Sequence, residues 1–209
     1  MNSVVNPGLI VPSVSESLKR FVCANVPLLS EGLVAFDSPA DWEHTKENSL
    51  LIYLYQVDVN PYLRNMPDRI VLNQSLGDHP FSLTAVPAPL VLDLTYMMVA
   101  YGSTGEMEQM IAGALINLLD TCGYIPDAYL MPTLRASGND LLSVVPDATS
   151  IHELRDLWSA FSQKGYHLTK VYKVPSVRIP SSVAMPVDMV VHADMVAHPL
   201  GAEKGDAEL

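Results

Sequence analysis

The chain has 209 residues, a size that suits one domain with short terminal extensions. Hydrophobic residues make up 49% of it and charged residues 17%, which excludes a wholly disordered chain and leaves much of the surface uncharged or covered. Lys and Arg number 12 against 23 Asp and Glu, and the resulting net charge of −11 repels phosphate backbones and anionic lipids. Neither nucleic acid nor a membrane surface is therefore expected as a partner.

The cysteines and the N-terminal stretch bear on compartment. Cys23 and Cys122 lie among apolar neighbours without a CxxC spacing, which predicts buried, unpaired thiols. The N-terminal stretch is broken by Pro7 and Pro12 and lacks the basic and continuous apolar regions of a signal peptide, so a cytoplasmic protein is predicted. The most apolar stretch, 85–101, is interrupted and is shorter than the ~20 residues of a membrane span.

The first part of the chain predicts a helix, a long connection and a strand. A capping-box spacing at 13–16 opens a helix predicted over 14–24. Residues 28–48 mix polar, glycine and proline positions and predict a connection with a short strand. Residues 50–57 are dense in aliphatic and aromatic side chains, which predicts a central strand buried on both faces.

The middle of the chain predicts an irregular segment, a strand and a helix. Residues 60–80 lack a sustained period and predict a long loop or irregular hairpin, a kind of segment that often carries a binding surface. Residues 90–99 alternate and predict a second long strand. A capping-box spacing at 103–106 opens a helix predicted over 104–120, which Gly123 ends.

The last part predicts a loop over 128–139, a short strand over 141–145, a helix and a final strand. Ser150 and Glu153 have capping-box spacing and open the helix. Residues 168–179 alternate and predict a strand with one exposed side, whose internal proline suits an edge or a bend.

This order of elements predicts an α+β, or mixed α/β, fold in which helices flank a mostly antiparallel sheet. We expect an N-terminal arm over 1–12, one domain over 13–180 and a C-terminal extension over 181–209. The end of that extension carries more acidic than basic residues and no apolar face, so a flexible acidic tail is expected.

Motifs for catalysis or ligand binding are missing from the sequence. It contains no nucleophile elbow, P-loop, dinucleotide-binding or zincin signature, and its six histidines lack ligand spacing. We therefore expect no catalytic, cofactor or metal site. Asp93, among apolar strand residues, is open to two interpretations: an acid or base, or a carboxylate that faces solvent or meets a neighbouring arginine or backbone amides. Cys122 with His152 is the alternative nucleophilic pair.

Basic residues are concentrated near the end of the predicted domain. Five of the twelve fall within 24 positions: Arg155, Lys164, Lys170, Lys173 and Arg178. In an otherwise acidic chain, this segregation favours either a solvated strand face with protective edge lysines or a contact with an acidic surface of another subunit.

Several short motifs follow one another in a fixed order along the chain. They are 51–57 (LIYLYQV), 60–65 (NPYLRN), 89–97 (PLVLDLTYM), 100–102 (AYG), Glu108 and the pattern Glu153, Leu154, Leu157, Trp158. Over about residues 13–178, this set closely resembles the cap, or tail-terminator, family of bacterial contractile injection systems, which are phage-tail-like particles.

The resemblance implies a phage tail-terminator-like fold and a structural protein that is not an enzyme. It further implies a ring of six copies that binds the sheath protein and the inner tube protein at the end far from the baseplate and stops polymerisation. Assembly in the bacterial cytoplasm is implied, with release or retention of the particle left open. The alternatives are a monomeric binding or assembly-chaperone module of the same particle, and a small hydrolase.

Two segments are the candidate contacts of such a ring. The first is the loop with Tyr62, Arg64 and Asn65, because Tyr and Arg are enriched in interface hot spots; Arg64 equally suits bracing of its own loop.

The second candidate contact is the last strand, with Lys170, Lys173 and Arg178. Its alternation turns the lysines toward solvent or a partner, and an open edge there would accept a strand from the sheath.

Overall fold

The computed structural model describes residues 5–43, 45, 47–74, 81–161, 164–181 and 185–187. The helices are α1 (Ile10–Asn25), α2 (Gly105–Cys122), α3 (Pro132–Ala136) and α4 (Ile151–Ser159). The strands are β1 (Val34–Ala35), β2 (Ser49–Val59), β3 (Arg69–Gln74), β4 (Phe81–Val86), β5 (Leu90–Tyr101), β6 (Tyr124–Ile125), β7 (Leu142–Ser143), β8 (Val145–Pro146), β9 (Thr169–Ile179) and β10 (Met185–Val187). Short 3-10 helices lie at Pro7–Leu9, Glu31–Leu33 and Asp127–Tyr129.

The main sheet has the strand order β1-β2-β5-β9-β8. All its pairings are antiparallel except that of β1 with β2. Helices cover both faces of this sheet. The buried apolar side chains form two separate clusters, one with residues of α1 and α2 and the other with Trp158 of α4. The predicted α+β fold with a mostly antiparallel sheet is confirmed.

The central strand β5 is buried on both faces. Its even-numbered positions from 92 to 100 all face the core that the strand shares with α1 and α2. The odd-numbered positions from 97 to 101 pack with Trp158 and Phe161, at the end of α4. Since burying one large aliphatic side chain stabilises a fold by about 1.5–3 kcal/mol, burial on both faces makes β5 a large contributor to the stability of the fold.

Buried hydroxyl groups join α1 to its neighbours. The Ser15 and Tyr96 hydroxyls share a hydrogen bond of 2.9 Å, and burial raises the pKa of Tyr96 to about 12. Ser17 donates to the Ser13 carbonyl and accepts from the Met131 N–H. The predicted capping box at 13–16 is therefore wrong, because the helix begins at Ile10 and its serines lie within it. The hydroxyls of Ser15 and Ser17 are satisfied there by partners in the core.

The other two predicted helix starts have different outcomes in the structure. Helix α2 is capped by Thr104, whose hydroxyl accepts from the Met107 N–H, and not by Ser103 as the spacing predicts. Its end at Gly123, in the left-handed conformation, is as predicted. Helix α4 has the predicted capping box, in which Ser150 and Glu153 exchange hydrogen bonds.

Each central strand continues beyond the main sheet into a second sheet. β2 leads to β3, β4 leads to β5, and β9 leads to β10. The second sheet has the order β3-β4-β10, which repeats the order β2-β5-β9. We term β3, β4 and β10 the extension sheet. The three connections contain prolines, which cannot donate to a ladder: Pro61, Pro67, Pro87, Pro89 and Pro180.

Several element predictions are corrected by this arrangement. The stretch 60–80, predicted as a long loop or an irregular hairpin, contains the strand β3, which pairs with β4 beyond the end of that stretch; β4 and β10 were not predicted. The predicted loop over 128–139 contains α3, and the strand predicted over 141–145 is divided between β7 and β8. Strand β2 is buried at 49–52, half-buried at 53–55 and exposed at 56–59, so the prediction of a strand buried on both faces over 50–57 is wrong beyond residue 52.

The remaining predictions concern the cysteines and the tail. Cys23 and Cys122 are unpaired, as predicted, but half-buried rather than buried. Burial raises the pKa of the Cys23 thiol. The predicted acidic tail, at the end of the 181–209 extension, lies outside the described residues.

We expect Gly102→Ala to lower the free energy of unfolding by about 1–3 kcal/mol. A Cβ at this position would lie 2.2 Å from the Glu108 backbone nitrogen and 2.6 Å from the Thr104 carbonyl oxygen, so the start of α2 would have to move. Gly113→Ala is the matched control, because its Cβ meets nothing within 4 Å and alanine stabilises a helix interior by about 0.5–1 kcal/mol. Urea denaturation measures both; parent-like stability of Gly102→Ala would contradict the packing argument.

Candidate subunit interface

The centre of the site is the carboxylate of Asp93, which is 7% exposed. It lies where β5 and β9 change register, so that Asp93 faces both Pro175 and Ser176. Ser176 has a φ of 61°, a left-handed conformation that turns its N–H toward the carboxylate at 3.0 Å. The Asn60 amide donates to the same oxygen at 3.0 Å, and the Lys173 ammonium lies 3.2 Å from the other oxygen.

These contacts decide the charge of Asp93. Burial alone would raise its pKa, but the hydrogen bonds from Ser176, Asn60 and Lys173, with the lysine charge, outweigh it and lower the pKa below its ordinary value. An ionised carboxylate with three donors is poorly suited to act as an acid at neutral pH. Of the two interpretations of Asp93, the structure supports a structural carboxylate that is bound by neighbouring groups. Its cationic partner is Lys173 and not the expected arginine.

The first candidate segment is anchored by the same network. The Asn60 side-chain oxygen accepts hydrogen bonds from the N–H groups of Tyr62 and Leu63, both at 3.1 Å. The loop is thus fixed at its start to β5 through Asp93. Beyond that start it is open: Tyr62 is 92% exposed, and Arg64 is also exposed. Within the described part of the chain, Arg64 makes neither an ion pair nor a hydrogen bond, so it does not brace its own loop.

The neighbouring Asn65 is exposed as well. The loop therefore presents the predicted residues Tyr62, Arg64 and Asn65 to solvent, and no side chain within the described ranges pairs with theirs.

The second candidate segment is less open than predicted. β8 pairs with β9 at Tyr172 and Lys173, and the Asn139 side chain bonds both the N–H and the carbonyl of Arg178, each at 2.8 Å. The prediction of an open edge is wrong at these positions, because a short strand and a side-chain amide take up the backbone groups that an added strand would use. The Arg178 guanidinium remains exposed, and Lys170 is half-buried.

The structure brings the two segments together. Lys173 and Asn60 meet at Asp93, so both segments border the start of the extension sheet. Arg178 also lines one surface depression with Arg69, the first residue of β3. Sequence analysis missed Arg69, although the apolar, β-branched run at 70–72 that follows it was a usable signal of a strand.

The alternative enzymatic groups do not form a site. Cys122 packs with the core under α1 and α2, whereas His152 is exposed on α4, on the opposite face of the main sheet. Among the described residues, no three His, Cys, Asp or Glu side chains gather as metal ligands would. Of the helices that the structure describes, none is both long and apolar enough to cross a membrane.

We expect Asp93→Asn to lower the free energy of unfolding at neutral pH by about 1–3 kcal/mol, because it removes the charge that faces Lys173. The lowered pKa means that this stabilisation is present above the ordinary value of 3.8 and is lost as the pH falls through the folded-state pKa. Denaturation of parent and variant between pH 7 and pH 3 should therefore give converging curves.

The control for this comparison is Asp58→Asn, since Asp58 lies directly opposite Asp93 on β2 but is exposed. We expect it to change stability by less than about 0.5 kcal/mol. An Asp93→Asn effect that is independent of pH would contradict the account.

Comparison with solved structures finds two proteins of similar fold. The chain resembles the PVC sheath/tube terminator of an extracellular contractile injection system, in its extended state, with 16% identity and a TM-score of 0.62 over 91% of this chain and 65% of that one. It also resembles the tube-terminating cap of the anti-feeding prophage, with 14% identity and a TM-score of 0.55 over 88% of this chain and 60% of that one. The chain thus spans less than two thirds of the length of either protein.

No curated protein sequence matches the chain significantly. A family model does match, and it covers residues 13–193, which is most of the chain. This agrees with the resemblance carried by the ordered motifs and with the fold of the two structural neighbours. The chain belongs to the Pvc16 N-terminal domain family.

Proposed function

We propose that this chain caps the tube and sheath of a contractile injection particle at the end far from the baseplate. The observation that carries the proposal is the likeness of nearly the whole chain to a protein described as a sheath/tube terminator. A cap is a structural protein and not an enzyme, which agrees with an Asp93 carboxylate that holds strands together and is kept ionised.

The proposed assembly is a ring of six copies bound to the sheath protein and the inner tube protein. A head-to-tail ring needs two different complementary surfaces on each copy. Assembly in the bacterial cytoplasm, followed by incorporation into the particle, is part of the proposal. We further propose 13–180 as the capping domain, with 1–12 and 181–209 as its terminal segments.

The proposed contact residues are exposed in the structure, except Lys170, which is half-buried. Tyr62, Arg64 and Asn65 form one contact, and Arg178 with Lys170 forms the other. The first contact is supported by its anchoring at Asn60, because a pre-positioned loop loses little entropy on binding. Lys173 was proposed with them, but its ion pair with Asp93 also gives it a role within the fold.

Loss of the chain should leave the polymerising ends of tube and sheath unblocked. We therefore expect particles from a deletion strain to vary in length or to come apart, whereas parent particles have a uniform length. Electron microscopy of both preparations measures the length distribution, and a plasmid copy of the gene should restore it. Uniform, stable particles without the chain would overturn the proposed function.

Arg64→Ala should weaken attachment by about 2 kcal/mol, the size of a hot-spot effect. Lys170→Glu with Arg178→Glu should also weaken attachment, and neither change should lower the melting temperature, because their charged groups have no partner among the described side chains. The readout is the amount of chain retained on purified particles.

Lys173→Glu is the contrasting variant for that experiment. It should lower the melting temperature, because it sets a second carboxylate against Asp93. If Arg64→Ala and the double variant attach like the parent, these contact sites are wrong, even with the capping function intact.

A further inference from the structure

The extension sheet has two unlike edges, formed by β10 and by β3. The middle residue of β10, Pro186, stands opposite Thr84 of β4. Because proline has no N–H, these two residues cannot exchange hydrogen bonds, and the antiparallel ladder is made by Met185 and Val187 instead. The backbone of Pro186 therefore points outward, where it offers a carbonyl but no donor. The edge of β10 resists strand addition at this residue.

The outer edge of β3 can accept a strand. The same alternation turns the backbone of Thr84 toward β3, where it pairs with Val71. The N–H and carbonyl groups of Ile70 and Leu72 consequently point away from β4, and none of the described strands pairs with them. The side chains of Ile70 and Leu72, on the apolar face that they share with Ala85, are 61% and 53% exposed. Since β3 contains neither lysine nor proline, the usual protections of an open edge are missing from it.

The chain continues from β10 into a segment with the composition of a strand. Residues 188–193 read DMVVHA and lie outside the described residues. Met189, Val191 and Ala193 form one apolar set, and the positions between them are mixed in polarity. The segment contains no proline, so each of its residues has an N–H. The family match reaches residue 193, which includes all of this segment in the matched domain.

A segment that extends β10 cannot reach the outer edge of β3 in its own copy. A strand added to β3 would lie three strand spacings from β10, or about 14 Å, because neighbouring strands are about 4.8 Å apart. One connecting residue, Asp188, spans only about 7 Å. The edge that such a segment can pair with is therefore that of another copy.

Strand direction sets the orientation of this pairing. Both β10 and β3 run antiparallel to β4, and so they run parallel to each other. Neighbouring copies in a six-membered ring are related by a small rotation, which preserves the direction of each strand along the ring. A strand that extends β10 consequently meets the neighbouring β3 in the parallel orientation.

We propose that residues 188–193 of one copy extend β10 and pair, as a parallel strand, with the outer edge of β3 of the next copy. In the register that fits, Val190 lies beside Val71 of the neighbour. The Val190 N–H donates to the Ile70 carbonyl, and the Leu72 N–H donates to the Val190 carbonyl. Backbone hydrogen bonds of this kind provide the affinity of an added strand, and side chains on alternate faces provide its specificity.

The side chains suit this register. Met189 and Val191 lie beside Ile70 and Leu72, so the apolar face continues from one copy to the next. On the opposite face, Asp188 lies beside the neighbour's Arg69.

Arg69 is exposed and forms no ion pair with a described carboxylate, so it is available to a partner. Each copy gives a strand at one edge of its extension sheet and receives one at the other, which is the head-to-tail arrangement that closes a ring. The inference deepens the proposed capping function by naming the contact that joins its copies, and it rests on that function.

Disulfide trapping in assembled particles tests the pairing. In a background where Cys23 and Cys122 are replaced by serine, one set of copies carries Val71→Cys and a co-expressed, tagged set carries Val190→Cys. We expect disulfide-linked dimers of the two sets, because paired strand residues have Cα atoms about 5 Å apart, within the range of a disulfide.

The matched control replaces Val190→Cys by Val191→Cys, which places the second thiol on the other face of the sheet. It should give about tenfold less dimer with Val71→Cys. Equal linking at the two positions, or no linking at position 190, would overturn the inference.

A proline substitution tests the backbone contact. Val190→Pro removes the N–H that donates to the neighbour's Ile70 carbonyl, and it should reduce the amount of chain retained on purified particles about tenfold. Val190→Ala keeps the N–H and should be retained like the parent. Parent-like retention of Val190→Pro would reject the proposed strand.

The two levels of the proposal fail differently. Particles that carry the chain at their ends, but give no dimer through positions 71 and 190, leave the capping function standing and reject the contact. Particles from which the chain is absent reject both.

Discussion

The structure depends on one buried charge. Asp93, in the middle of the central strand, accepts hydrogen bonds from the end of β2 and from the bulge of β9, and it pairs with Lys173. A buried carboxylate is costly unless donors surround it, so the backbone of Ser176 must keep its left-handed conformation and Asn60 must stay in place. The three strands that carry the core are thereby tied at the point where each leaves the main sheet.

The Asp93 network lies at the boundary between the main sheet and the extension sheet. Beyond it, the three central strands cross a proline-rich joint and re-form as the extension sheet in the same order. The joint separates a main sheet buried under helices from a sheet whose apolar face is uncovered by the described residues. Surfaces suited to protein contact therefore lie on one side of the Asp93 network, and the packing that stabilises the fold lies on the other.

The residues that carry the family resemblance fall into two groups, those that hold the fold together and those that are exposed for contact. Asn60, Asp93 and Gly102 hold strands and helix ends in place, and Glu108 accepts the Leu168 N–H at 2.8 Å while contacting His167. Tyr62 and Arg64, from the same motif as Asn60, are exposed. A short motif thus combines a residue that fixes a loop with residues that the loop displays, which is the arrangement expected of a pre-positioned contact.

The sequence by itself determined the elements whose signals are local: α2 and α4, whose apolar periodicity and capping residues need only neighbouring positions, and the long strands β2, β5 and β9. The start of α1 was decided by tertiary structure, since Ser15 and Ser17 find partners in Tyr96 and Met131 that lie far along the chain. The covered edge of β9 and the apolar face of the extension sheet also follow from long-range pairing. Whether Asn139 meets Arg178, or Ile70 faces Ala85, depends on how strands align, and single-sequence periodicity carries no information about alignment.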